Sequence, residues 1–395
     1  MHNITEKTEH PCSGCGACAA VCPANAVTLA LDAAGFYRAA VDASLCVDCG
    51  LCQKVCTRFT AQTGGVRLYD APLFALQSAD AATVQRCSSG GLAHELARQA
   101  LAEGMQVAGV VYDTATDRAK HVLVDRPEDL AALDGSKYLQ SDPAVFRRML
   151  AEAKADPAAR FAVFGTPCQI TGLARAAELA GVRERFLLTE IFCHGVPSYR
   201  VWEQECARLR KKLHAERFDA VQFRYKKADW HSYCLRVDAG ERTFYGARET
   251  EPFYRVYFEN VLLNDACLTC RMRKESSCAD FRLGDYWGRR FAARRDGVSA
   301  VYCLTDRARG FSEKLPVKAL TPGTAAEQLR YQNMAGYTPS ALHTQAMDVL
   351  RTQGAAKAIR YYRRRSPVKV KVKGALLTLL GLLPDRWRAA LKRYR

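Results

Sequence analysis

Cys12-Ser13-Gly14-Cys15-Gly16-Ala17-Cys18-Ala19-Ala20-Val21-Cys22-Pro23 sets the architecture of the N-terminus, because its spacing returns at Cys46-Val47-Asp48-Cys49-Gly50-Leu51-Cys52-Gln53-Lys54-Val55-Cys56. Both runs read C-x2-C-x2-C-x3-C. Three thiolates at that spacing wrap one face of an iron–sulfur cubane, and the fourth reaches the neighbouring cluster. Cys12, Cys15, Cys18 and Cys56 are therefore expected to hold one 4Fe–4S cluster, and Cys46, Cys49, Cys52 and Cys22 a second. Gly14, Gly16 and Gly50 let the backbone turn tightly and aim amides at sulfur. Zinc motifs use C-x2-C pairs separated by longer loops, not tandem triplets.

Composition supports this reading. The chain has 395 residues, 49% apolar and 25% charged, enough to bury a core without disulfide staples. Eight of its 17 cysteines nevertheless fall in the first 56 residues, which reads as metal ligation. Residues 1–11 are polar and lack the apolar core of a secretory signal, and no apolar run approaches the ~18 residues of a spanning helix. A reducing cytoplasm is the expected setting. Of the formal net charge of +17, +13 lies in residues 351–395, where fourteen Lys and Arg face Asp385 alone. The body is close to balanced, and the tail is the basic object.

Beyond Cys56, a polar stretch from Thr57 to Gly65 reads as a linker. Short apolar runs then alternate with amphipathic segments. Met105–Tyr112, Arg160–Phe164 and Phe186–Cys193 read as buried strands, and Leu92–Glu103 as a helix stopped by Gly104. Phe218–Tyr225 and Cys234–Tyr245 read as antiparallel strands, so the sheet should be mixed. The fold class expected is α+β or α/β: a ferredoxin-like module with two clusters over 1–62, a mixed-sheet α/β domain over 63–345, and a basic amphipathic tail over 346–395.

Several body segments carry chemistry. Cys168 follows Gly165-Thr166-Pro167 at a strand end that opens a helix, where the helix dipole favours thiolate. Cys193, in Phe192-Cys193-His194-Gly195-Val196-Pro197, lies at another strand end, and strand C-termini line the functional crevice of α/β sheets. With Cys267-x2-Cys270 these make a candidate third cluster; buried structural cysteines are the competing reading. Cys206, Cys234 and Cys303 read as core. Cys87-Ser88-Ser89-Gly90-Gly91 precedes the Leu92 helix and suits a phosphate at the helix N-terminus, or a plain serine cap. Gly135-Ser136-Lys137-Tyr138-Leu139-Gln140-Ser141 supplies a cation, an aromatic ring and hydroxyls. Gly284-Asp285-Tyr286-Trp287-Gly288 ends a strand with two aromatics. No G-x-G-x-x-G follows a strand, so a Rossmann dinucleotide site is not indicated.

Taken in order along the chain, 87–91, 135–141, 165–169, 193–198, 267–270 and 284–288 resemble the motifs of the family of coenzyme F-420 hydrogenase/dehydrogenase beta subunits. The resemblance implies a body that binds FAD and a further 4Fe–4S cluster. It makes Cys168, Cys193, Cys267 and Cys270 the ligands of that cluster. It makes Ser88, Ser89, Gly90, Gly91, Ser136, Lys137, Tyr138, Gln140, Ser141 and Thr166 flavin contacts. It also implies ferredoxin or another redox protein as partner and a small organic acceptor. In bacterial relatives with a fused ferredoxin module it implies a surface-polysaccharide setting. Ser89-Gly90-Gly91 departs from the Asp-Gly-Gly of deazaflavin-reducing members, which argues against coenzyme F-420 as the substrate. His194 is a candidate proton donor near neutral pH, or a structural histidine. The alternative to an enzyme is a non-catalytic relay component of a larger hydrogenase or dehydrogenase, or a scaffold protein of a polysaccharide assembly.

The tail alternates basic Arg363–Lys373, apolar Ala375–Leu383 and basic residues from Asp385 onward. It is expected to dock on the anionic inner face of the membrane, its leucines in the interface and its cations among headgroups. Packing against the body competes with that reading. No aromatic platform or reading motif supports a specific nucleic-acid partner.

Overall fold

The computed structural model describes residues 2–59, 64–332 and 334–392. In the N-terminal module the hairpin Val27–Leu31/Tyr37–Val41 separates two five-residue helices, Ala17–Val21 and Leu51–Val55. Both helices start from a left-handed glycine, Gly16 (φ 80°) and Gly50 (φ 73°). A side chain there would be strained, so the motif's glycines are what allow a cysteine run to turn straight into a helix.

The body is built on one nine-stranded sheet among the described residues. Its order is Val317–Leu320, Leu73–Ser78, Ser299–Cys303, Phe281–Asp285, Phe186–Ile191, Phe161–Gly165, Gln106–Asp113, Arg118–Val124, Ser141–Asp142. The four strands from Phe281–Asp285 to Gln106–Asp113 run parallel, and antiparallel strands flank them on both sides. The expected mixed sheet is present, but not for the expected reason. Ala220–Tyr225, Cys234–Ala239 and Arg242–Ala247 form a separate three-stranded antiparallel sheet. The helix Tyr199–Leu213 packs on this small sheet through Trp202 and Leu209, both fully buried.

The expected boundary at 62/63 lies outside the described residues, as do residues 60–63 of the expected linker, whose ends are packed. Thr57 is buried, its carbonyl accepting from Arg271, and a Cβ at Gly65 would lie 2.6 Å from the Ser277 carbonyl oxygen. The expected tail boundary at 345/346 falls inside the helix Ala341–Gln353. Ala346, Met347 and Leu350, with Ala358 and Ile359 of the next helix, belong to the core around Trp202. An apolar stripe spaced at helical period buried these residues where composition had suggested a basic extension.

The module is bolted to the body rather than hung from it. Gln140 accepts from the Tyr37 amide (2.7 Å) and donates to the Ser13 and Tyr37 carbonyls. Arg147 donates to the Ala19 and Val27 carbonyls. In the helix Pro167–Leu179, a Cβ at Gly172 would stand 2.7 Å from Ala17 Cβ and 3.2 Å from Cys15 Sγ. Gly172→Ala therefore sets two effects against each other. Helix propensity favours alanine by about 0.5–1 kcal/mol, while forced overlap in a packed contact costs about 1–3 kcal/mol. Ala17 is short and fully buried, so it has no room to yield. The substitution is expected to destabilise the chain and to speed proteolytic release of the module, measured by limited proteolysis.

Candidate electron-transfer site

None of the 17 cysteines forms a disulfide. The N-terminal eight separate into the two expected sets. Cys15, Cys18 and Cys56 are buried, and burial, then the nearby Cys168 and Cys56 thiols, pushes the Cys15 thiol up. Cys18 is raised by burial and by Cys15, Cys12 and Cys56. Cys12, Cys15, Cys18 and Cys56 thus converge. Cys22, Cys46, Cys49 and Cys52 ring a second, small hollow closed by Val27, Val41 and Leu51. Asn3 Nδ2 donates to Cys46 Sγ there (3.5 Å), and Cys49 is exposed.

The third set comes from three distant segments. Cys168 lies in the first turn of the Pro167 helix, Cys193 two residues past the strand Phe186–Ile191, and Cys267 and Cys270 on and just after the helix Asp265–Leu268. Burial, then the Cys193, Cys270 and Cys168 thiols, raises Cys267. At Cys168 burial works against the expected dipole effect. The thiol is pushed up to about 12, chiefly by burial, with Cys270 and Cys193 adding to it. The helix N-terminus is already engaged, since Thr166 and Gln169 cap it reciprocally. Thr166 Oγ1 lies 3.3 Å from Cys168 Sγ.

The half-buried thiols of Cys168, Cys193 and Cys267, whose ionisation is disfavoured by burial and by neighbouring thiols, suit, together with Cys270, a positively charged iron cubane, which would take the four as thiolates and offset their mutual repulsion. Among the described residues no three His, Cys, Asp or Glu side chains converge as one bound ion requires. Zinc draws its ligands to within about 2.3 Å of a point, whereas a cubane carries each thiolate on a separate iron. The residues fit three clusters. Cys168 also lies near enough to Cys15 for its charge to raise the Cys15 thiol, so the first and third sets adjoin.

The third set opens into a cavity of about 1150 Å³ at the C-terminal ends of the parallel strands. Ser88, Ser89, Gly91, Ser136, Lys137, Tyr138, Gln140, Ser141 and Thr166 line it, all from the expected flavin set. Its volume exceeds the upper end of ordinary small-molecule pockets, about 1000 Å³, and suits a dinucleotide-sized ligand. Ser88 Oγ accepts from the Ser136 amide (2.7 Å), which joins the two expected loops. The helix Leu92–Ala102 begins at Gly91 (φ 85°) with no side-chain cap, and Leu92, Ala93 and His94 face the cavity. An uncapped N-terminus suits an anion.

Other residues of the expected set have different work. Gly90 does not line the cavity. Its amide donates to Ser299 Oγ, and a Cβ would meet the Leu76 carbonyl oxygen at 2.6 Å. Lys137 donates to the Ala132, Leu133 and Asp134 carbonyls, and burial lowers its pKa to about 8. Its cation caps the short helix Pro127–Leu133. Gln140 fastens the module, and Ser141 Oγ accepts from Gln169. Tyr138 stacks on Tyr257 (4.9 Å between ring centroids). His194 Nδ1 lies 3.0 Å from the Tyr337 hydroxyl, and its ring sits 4.8 Å from Tyr257. Burial, then Arg273, lowers it to about 4, so the imidazole is uncharged at neutral pH rather than poised there.

Sequence reasoning missed the cations of the cavity wall. Arg273 donates to the His194 carbonyl (2.7 Å) and lies over the Tyr337 ring, Arg248 lies over Phe258 (4.1 Å), and Arg224 pairs with Asp285 beneath Trp287. Each is a single arginine in an unremarkable stretch, and only the fold gathers them. Tyr362, Val370, Leu377 and Leu380 also reach the cavity, from the C-terminal segment.

Known proteins resemble the chain along most of its length. Residues 11–59 match the 4Fe-4S dicluster domain. Residues 73–145 match the N-terminal family of the coenzyme F420 hydrogenase/dehydrogenase beta subunit, and 158–321 the corresponding C-terminal family. A component of the F(420)H(2) dehydrogenase of Methanosarcina mazei is 30% identical over 196 residues, 47% of this chain and 54% of that component. An uncharacterized protein of Methanocaldococcus jannaschii is 24% identical over 262 residues, 57% of this chain and 68% of its own length. The chain thus spans about half of the first relative and about two thirds of the second. A solved chain of the F420-reducing [NiFe] hydrogenase complex from Methanosarcina barkeri aligns with TM-score 0.44 at 14% identity, covering 76% of this chain and 91% of that one. With an N-terminal 4Fe–4S dicluster domain ahead of both halves of the family body, the chain belongs to the oxidoreductase family of coenzyme F420 hydrogenase/dehydrogenase beta subunits.

Proposed function

We propose that the chain passes electrons between a redox partner at its N-terminal module and a small organic acceptor in the cavity, with FAD bound beside the third cysteine set. The observation that carries this reading is the closeness of Cys15 to Cys168, which sets the module's buried thiols against those that open into the cavity. When bound, 4Fe–4S clusters carry single electrons and a flavin exchanges them for a pair. The chain's own residues position and insulate. Exposed Cys49, beside exposed Leu45 and Val47, marks the face where ferredoxin or another donor docks. Gln140, Arg147 and Gly172 hold the module in register. The uncapped Leu92 helix and Ser88 receive phosphate, and Tyr138 and Tyr257 wall the ring site. The surface-polysaccharide setting belongs to the same proposal and rests on the resemblance alone.

Ala93→Asp tests the flavin site. Ala93 is exposed to the cavity near the helix start. A carboxylate there stabilises the helix by about 0.3–1 kcal/mol through the dipole, yet repels a phosphate. The expected result is an unchanged or raised melting temperature with at least tenfold weaker FAD retention, roughly 1.4 kcal/mol. Unchanged FAD retention, or FAD absent from the wild-type chain, removes this reading. A relay without its own acceptor, favoured by the likeness to one component of the Methanosarcina mazei dehydrogenase, predicts iron without flavin.

A further inference from the structure

The helix Val368–Leu382 is apolar on opposite sides, and the body covers only one of them. On the covered side Leu377 and Leu380 wall the cavity, while Gly374 and Gly381 press on the body so closely that a Cβ would lie 2.3 Å from Arg255 Nη2 and 2.3 Å from Thr250 Cγ2. Thr378 takes a hydrogen bond from Arg255 (3.3 Å), and in the following helix buried Arg388 pairs with Glu249 and donates to Ser232 Oγ (3.0 Å). These contacts fix the helix's rotation. They turn Val368, Val372, Leu376, Leu379 and Leu382 outward, between 52% and 74% exposed. At i, i+4, i+8, i+11 and i+14 they form one stripe along a helix of 15 residues, about 22 Å.

What covers that stripe follows from its ends. Exposed Arg363, Arg364, Arg365, Lys369 and Lys371 stand before or at its start, and exposed Arg386 and Trp387 after it. Cations at both ends of an apolar stripe, with an indole at the margin, match the layering of an anionic bilayer surface. A second copy would bring the same cations face to face. No helix among the described residues is long and apolar enough to cross a membrane.

We propose that the outer face of the helix Val368–Leu382 seats the protein on an anionic lipid bilayer. The docking does not depend on the redox reading above. The test is flotation of the full chain, purified anaerobically, with phosphatidylcholine vesicles made with or without phosphatidylglycerol. The wild-type chain is expected to float with the anionic vesicles at low salt. Leu376→Ser/Leu379→Ser/Leu382→Ser lowers the bound fraction by about tenfold or more, with iron content and melting temperature unchanged because those side chains are 61–74% exposed. Lys369→Gln/Lys371→Gln/Arg386→Gln reduces binding to anionic vesicles most at low salt. Equal flotation of wild type and the leucine variant overturns the proposal, as does equal binding to neutral vesicles. So does a wild-type dimer, by light scattering, that the leucine variant converts to monomer without any flotation of either. Flotation lost on adding duplex DNA, with the chain retained on the DNA, assigns the face to nucleic acid instead.

Discussion

Cys270→Ser is expected to lower the iron content of the anaerobically purified chain from about twelve atoms to about eight, and Cys168→Ser to do the same. The two residues lie far apart in sequence, on a short helix's exit and on the opening turn of the Pro167 helix, yet the Cys270 thiol acts on Cys168. A shared loss is what a common cluster requires. The N-terminal sets draw no ligand from either segment, so their absorption and spin signals should remain. Cys206→Ser is the control: its thiol is buried beside the Tyr112 hydroxyl, outside all three cysteine sets, and should leave iron unchanged. Eight irons in the wild-type chain would remove the third cluster and spare the module.

Arg282→Met is expected to cost about 3–5 kcal/mol of stability, measured by urea unfolding followed by circular dichroism. Glu190 and Arg282 form an ion pair across adjacent parallel strands, 1% and 2% exposed. Burial already raises the Glu190 carboxyl, with Arg282 opposing that rise. Arg282 Nη1 also donates to the Lys274 carbonyl (2.6 Å), which steadies the loop after Cys270. Removing the cation alone leaves a buried carboxylate without its partner. Glu190→Gln/Arg282→Met should recover much of the loss, because no bare charge then remains. If both variants lose the same stability, packing rather than charge holds these strands.

The parts of this architecture that were legible in the sequence are those coded locally. The two cysteine runs, the strands ending at Gly165 and Ile191 and the helix from Leu92 each depend on neighbours within a few residues, and spacing alone discloses them. Tertiary partners were hidden altogether. Lys137 and Gln140 have the chemistry of ligand contacts, but carbonyls of the Pro127 turn and of the N-terminal module take their hydrogen bonds. Gly90 belongs to a motif that suggests a phosphate loop, while its lack of a side chain serves the close approach of strand Leu73–Ser78. The tail's composition announced its charge and apolarity, but only the contacts of Gly374, Gly381 and Arg388 say which face is left over.

Electrons are proposed to follow one continuous path from the module through the third cysteine set to the cavity, and an anaerobic dithionite titration of the full chain tests that path most directly. The result expected is about five electrons per chain, one for each of three cubanes and two for the flavin, with cluster and flavin absorbance both bleached. Uptake of about two electrons, with no flavin signal, would contradict it.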